Sequence, residues 1–120
     1  MYTYRARLVR VVDRDTIDVD VDLGFHLTRR TRLRLLDIDT PERGQEGYYE
    51  AKEALSALLD SDLVIFTEKG DSFGRWLATV YRSTEFAFYR REDNKDITYS
   101  LHNSVNAQML ETKYVKEWKK

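Results

Sequence analysis

Hydrophobic and polar positions alternate with a period of two through the first third of the chain, the spacing of a β-strand with one buried face. The alternation is cleanest over residues 17–23, where Ile17, Val19, Val21 and Leu23 share one side and Asp18, Asp20 and Asp22 the other. Before it, residues 4–12 mix apolar side chains with arginines and predict a strand ending at the Asp13-Arg14-Asp15 turn. After it, Gly24-Phe25 reverses the chain into a third strand, in which Thr31, Leu33 and Leu35 alternate with Arg30, Arg32 and Arg34. Strands two and three thus read as a meander.

The period then changes. Tyr48, Ala51, Leu55, Leu58 and Leu59 recur at helical spacing and predict a helix over residues 47–59. Residues 63–67 read as a short apolar strand, 70–74 as a turn bounded by glycines, and 75–81 as a further strand. Residues 84–90 and 97–101 flank a polar stretch and predict a hairpin, and Ser104 reads as the N-cap of a helix over 105–112 that buries Val105 and Met109. Five short strands with a helix inserted after the third fit a mainly β (α+β) fold, a small closed OB-like barrel. A parallel sheet would need strands alternating with crossover helices. One domain over residues 1–120 is expected, with a hairpin insertion at 82–101.

Composition narrows the function. The chain is 42% hydrophobic and 34% charged, as globular domains are, and no apolar run approaches the roughly 18 residues of a membrane span. The first residues lack an apolar core followed by a small-residue cleavage site, so no secretory leader is expected in this stretch, and the compartment stays open. Without cysteine, disulfides and thiolate chemistry are excluded. A net charge of −1 gives no general attraction to nucleic acid, so any such binding must be local. Every lysine lies from Lys52 onward, whereas the N-terminal part is basic through arginine, whose planar fork suits phosphate oxygens. An arginine-rich solvated strand face would give the same composition. A monomer is the default expectation.

Charged residues gather at three turns or strand ends: Asp13 and Asp15, then Arg34 to Glu42, then Arg75 beside Gly74. A hard cation such as Ca²⁺ or Mg²⁺ takes carboxylate and carbonyl oxygens, and Asp15 and Asp39 supply two carboxylates from neighbouring strand ends. Glu42 can reach a water, and Arg34 and Arg75 can neutralise charge growing on a phosphate under attack. The inventory suits phosphodiester hydrolysis, although carboxylates in turns are more often plain turn formers.

The order of these residues adds a further signal. Val11-Val12-Asp13-Arg14-Asp15-Thr16, Arg34-Leu35-Leu36-Asp37-Ile38-Asp39-Thr40-Pro41-Glu42 and Phe73-Gly74-Arg75-Trp76-Leu77-Ala78 closely resemble the three signature blocks of the staphylococcal nuclease family, and residues 105–110 resemble its later helix. The resemblance covers roughly residues 5–115 and implies an OB-like barrel that cleaves DNA and RNA with one Ca²⁺, leaving 3′-phosphates. It implies that Asp15, Asp39 and the Thr40 carbonyl hold the ion, that Glu42 serves the attacking water, and that Arg34 and Arg75 hold the scissile phosphate. Asp13 matches an acid behind the metal ligands, Asn106 a structural asparagine, and Tyr114 a weak match to a substrate-side tyrosine.

The chain departs from that pattern at four places. Arg14 stands where the family usually has glycine, which carries strain if the position needs a positive φ. Ser72 and Phe73 replace a lysine and a tyrosine that contact a nucleotide phosphate, Lys113 replaces a glycine after the later helix, and the third helix has no secure counterpart. The competing function is a nuclease-like barrel that binds nucleic acid or protein without cleaving; such modules typically lose the acids and arginines retained here. For the Asp18/Asp20/Asp22 row a solvated face partly offset by Arg30 and Arg32 outweighs a second metal site. His26 and His102 read as surface residues, and Tyr48 and Tyr49 as half core, with base stacking the alternative.

Overall fold

The computed structural model describes residues 2–68, 70, 74–83 and 104–117, so the expected hairpin at 84–101 and positions Ser72 and Phe73 lie outside the described residues. The alternating segments form β1 (Tyr2–Asp13), β2 (Thr16–Asp22) and β3 (Thr28–Leu35), each antiparallel to the next. A short β4 (Ile38–Asp39) follows a turn in which Asp37 is left-handed at φ 62, a conformation that Asp tolerates better than most residues. Then come α1 (Tyr48–Leu58), β5 (Asp62–Glu68), β6 (Trp76–Arg82), α2 (Val105–Met109) and β7 (Lys116–Glu117).

The strands close into a barrel in the order β1-β2-β3-β6-β5, with β5 antiparallel to β1 and β6 parallel to β3. This is the OB-like α+β architecture that the strand count predicts. The parallel joint, Leu33 beside Trp76 and Leu35 beside Ala78, brings the start of β6 to the end of β3. Arg75 and Arg34 therefore lie at the same end of the barrel although far apart in sequence. Irregular pairing in β1 between Leu8 and Arg10, and again between Val11 and Asp13, bends that strand as closure requires.

The core is the inward row of each strand: Ile17, Val19, Leu33, Leu35, Ile65 and Val80 are all fully buried. Ala51 and Leu55 of α1 and Val105 and Met109 of α2 join the same cluster, and each large side chain so buried contributes roughly 1.5–3 kcal/mol. β5 is apolar on both faces, since Val64 and Phe66 pack with Tyr81 in a second cluster, where the Phe66 and Tyr81 rings meet edge to face at 5.4 Å. Among the described residues no helix is long and apolar enough to cross a membrane.

Several local expectations change. Leu23 does not continue the buried row; β2 ends at Asp22 and Leu23 is 46% exposed in the hairpin. The later helix stops at Met109 and not at 112, and residues 110–115 descend through turns, with Leu110 N–H donating to the Ala107 carbonyl and Val115 N–H to Thr112. Lys113 is accordingly not in a left-handed closing position. Ser104 does cap this helix, accepting from Ala107 N–H at 3.0 Å. The start of α1 has no side-chain cap; Gly47 sits there at φ 90, and a Cβ at that position would overlap the Tyr114 ring.

Candidate active site

The barrel's closure gathers the three charged blocks at one end. Asp13, Asp15, Arg34, Asp39, Thr40, Glu42 and Arg75 line a single open cleft of about 550 Å³ with Arg14, Thr16 and Arg32. The β1–β2 turn supplies the first acids, the end of β3 and β4 the middle set, and the loop before β6 the last arginine. The Leu35 N–H donates to the Asp15 carbonyl at 2.9 Å and so ties the end of β3 to the first turn.

Asp15 is the buried centre, 2% exposed. One carboxylate oxygen accepts from the Thr16 hydroxyl at 2.9 Å, and the other from the Thr40 hydroxyl at 3.3 Å, with Arg34 Nη2 3.4 Å away. Thr16 in turn accepts from Arg75 Nη1 at 3.2 Å, so one hydroxyl links the second arginine to the buried acid. Arg34 is anchored by its own strand end, donating from Nη1 to the Leu35 carbonyl at 2.6 Å and from Nη2 to the Ile38 carbonyl at 3.0 Å. A fork fixed by two carbonyls loses little freedom on meeting an anion.

Asp39 and Glu42 differ from Asp15 in being exposed at the cleft. Asp39 is placed by β4, which pairs with β7 through Asp39 beside Lys116. Glu42 sits in a turn in which Gln45 N–H donates to its carbonyl and its own N–H donates to the Gln45 side chain at 2.8 Å. The donor set of Asp15, Asp39 and the Thr40 carbonyl is entirely oxygen, which suits a hard divalent cation. Among the described residues no three acidic or histidine side chains are gathered as a metal-binding group.

Asp13 stands behind these groups. Burial opposes its ionisation, but the neighbouring Tyr48 hydroxyl, the Arg14 N–H and the Arg14 guanidinium outweigh this and hold the carboxyl below its usual range. Arg14 wraps onto Asp13 from both its backbone N–H, at 2.9 Å, and its Nη1. Its φ is negative, so the anticipated strain is absent. The Tyr48 hydroxyl is buried and faces Asp13 and Arg43 without a hydrogen bond of full geometry to either.

Tyr114 is outside the lining of this cleft: its ring packs on Gly47, its hydroxyl donates to Glu46 at 3.4 Å, and Lys113 lies over it. Asn106 acts as a structural clamp. Its Oδ1 accepts from Val80 N–H at 2.9 Å, and its Nδ2 donates to the Leu36 and Ala78 carbonyls at 2.9 and 3.0 Å. Three participants were not assigned from sequence: Thr16, Arg32 and the Tyr48 hydroxyl. Thr16 lies within the first signature block; Arg32 and Tyr48 are indistinguishable there from other strand arginines and helix aromatics.

A family model described as Staphylococcal nuclease homologue matches residues 32–117. The chain is 41% identical over 85 residues to a micrococcal nuclease of Shigella flexneri, and 40% identical over 84 residues to Protein ParB of Escherichia coli, in each case 69% of this chain and 45% of the relative. It is 34% identical over 77 residues to an uncharacterized endonuclease of Escherichia coli O157:H7, 63% of this chain and 47% of that protein. The chain thus spans about half the length of the relatives it matches. With the family model matching most of its length on a closed five-stranded barrel, the chain belongs to the staphylococcal nuclease family.

Proposed function

We propose that this domain is a nuclease that hydrolyses phosphodiester bonds of single-stranded DNA and RNA with one bound Ca²⁺ and leaves 3′-phosphates. The observation that carries this reading is the convergence of Asp15, Arg34, Asp39, Glu42 and Arg75, from three separate stretches of sequence, on one cleft. Asp15, Asp39 and the Thr40 carbonyl would hold the ion, which when bound offsets negative charge on the phosphate under attack. Glu42 accepts a proton from the water that forms the new P–O bond. Arg34 and Arg75 donate to the non-bridging oxygens, where charge grows in the five-coordinate state, and the 5′ oxygen departs taking a proton from solvent. Asp13, held ionised by its surroundings, keeps the first turn and Arg14 in position.

The test is fragment release from single-stranded DNA with Ca²⁺, Mg²⁺ or EDTA, for wild type and for Glu42→Gln and Arg34→Ala proteins shown to be folded by circular dichroism. Ca²⁺-dependent cleavage lost in both variants is the expected result. Oligonucleotide binding without cleavage by wild type would overturn the hydrolytic reading in favour of a binding module.

A further inference from the structure

The outer wall formed by β1, β2 and β3 carries a charge arrangement that the cleft chemistry does not use. Its most buried acid, Asp18, lies beneath two arginines. Asp18 accepts from Arg32 Nε and Nη2 at 2.8 and 3.1 Å and from Arg10 Nε at 3.0 Å; its side chain is 10% exposed, whereas those of Arg32 and Arg10 are 45% and 63% exposed. Asp20 accepts from Arg30 Nε at 2.6 Å, with its own side chain 32% exposed and that of Arg30 63%. An anion approaching this wall meets guanidinium groups already held in place by carboxylate partners, of which Asp18 is buried. Two arginines on Asp18 also leave that rung with a surplus positive charge, despite the overall charge of −1.

The row has a direction. Arg34 and Arg32 line the cleft, and Arg30 follows at the next outward position of β3, so the backbone positions that carry them repeat at roughly 6.7 Å, an interval comparable with that between phosphates of an extended single strand. Asp20, the partner of Arg30, lines a second open depression that also contains Phe25 and His26 of the β2–β3 hairpin. Phe25 is 95% exposed. Phe25 and His26 are both left-handed, at φ 55 and 60, a conformation uncommon for Phe and more usual for His. The Phe25 ring at the hairpin tip is thus open to a stacking partner from outside the fold.

We propose that this wall is a track for single-stranded nucleic acid running out of the cleft, with successive phosphates on Arg32 and Arg30 and a base stacked on Phe25. The inference rests on nucleic acid being the substrate. Stacking on an exposed ring requires an unpaired base, which selects a single strand over a duplex.

The test measures binding of a dodecathymidylate and of a thymidine dinucleotide in EDTA, for wild type, Phe25→Ala, Phe25→Trp and Arg30→Ala. Wild type is expected to bind the long strand more tightly than the dinucleotide. Phe25→Ala is expected to weaken the long strand about tenfold, with Phe25→Trp restoring it, and Arg30→Ala to lower the salt slope by about one; dinucleotide binding stays unchanged in all three. Equal losses for both ligands, or none for the long one, would overturn the track. So would a change of oligomeric state in Phe25→Ala with long-strand binding intact, which would assign the tip to a second copy of the chain. Length-dependent binding by a wild type that fails to cleave with Ca²⁺ would sink the hydrolytic reading and leave the track standing.

Discussion

Arg34 Nη2 stands 3.4 Å from the carboxylate of Asp15, the least exposed charged residue of the cleft, while the same guanidinium is held by the Leu35 and Ile38 carbonyls. The arginine proposed to meet the phosphate is thus also the cation that balances the buried acid. Arg34→Ala is expected to lower kcat by roughly 10²–10³ through loss of a transition-state donor. It is also expected to destabilise the fold by roughly 1–3 kcal/mol by leaving Asp15 without its cation. Arg34→Lys restores the charge but not the fork, so it should recover more stability than activity. Single-turnover cleavage and urea unfolding on the same proteins check both; full activity in Arg34→Ala would remove Arg34 from the reaction.

The Asn106 amide joins α2 to the Leu36, Ala78 and Val80 backbone groups. Asn106→Ala strands one N–H and leaves two carbonyls short of a donor, and is expected to cost about 2–4 kcal/mol. The reading is the urea midpoint at unchanged m-value, and a shift too small to measure would show that water replaces the clamp.

At Gly47 two obstacles to a side chain coincide, a φ of 90° and the Tyr114 ring. Gly47→Ala is expected to destabilise by about 2 kcal/mol or more. In a Tyr114→Gly background, which removes the ring and also the Cβ that would lie 2.6 Å away, the overlap is gone and only the backbone term of about 1 kcal/mol remains. A double-mutant cycle showing simple additivity would mean that the ring does not crowd this position.

Acid should weaken the outer wall. The bidentate bond from Arg32 outweighs the opposing effect of burial on Asp18, and with help from Arg10 holds its carboxyl below the ordinary 3.8. Because the folded value lies below the unfolded one, the ionised form favours folding: the contribution is complete above about pH 5 and is lost as pH falls through 3.8 toward the folded value. Asp18→Asn should therefore be less stable than wild type at pH 7, and the gap should narrow by pH 3. Urea titrations at both pH values test this; a constant gap would mean that Asp18 acts by packing alone.

Glycine at position 14 should not improve stability. Arg14 has a negative φ and two contacts with Asp13, so Arg14→Gly relieves no strain and adds freedom to the unfolded chain. A loss of about 0.5–1 kcal/mol in thermal unfolding is expected. A stabilised variant would contradict the conformation described for this turn.

Much of this molecule is legible from spacing. The alternation of Ile17, Val19 and Val21 with aspartates, and of Leu33 and Leu35 with arginines, specifies which face of each strand is buried, because a shift by one position would turn every apolar side chain to water. The helical recurrence of Ala51 and Leu55 places α1 in the same way. Leu23 misleads because alternation carries no mark of where pairing stops, and the hairpin begins one residue earlier. The two-residue strands β4 and β7 escape notice since their pairing joins positions 38–39 with 116–117, and two residues hold no period.

The candidate site divides along the same line. By itself the sequence determined the longer strands, α1 and the set of acids and arginines offered for chemistry, because these depend on local order and on residue type. Only the tertiary structure decided that Arg75 reaches Asp15 through Thr16, that Arg34 is braced by the turn ahead of it, that Arg14 rests on Asp13, and that Tyr114 packs away from the cleft. The physical reason is closure: pairing β3 in parallel with β6 juxtaposes side chains by register across strands, and neighbours along the chain carry no trace of that register.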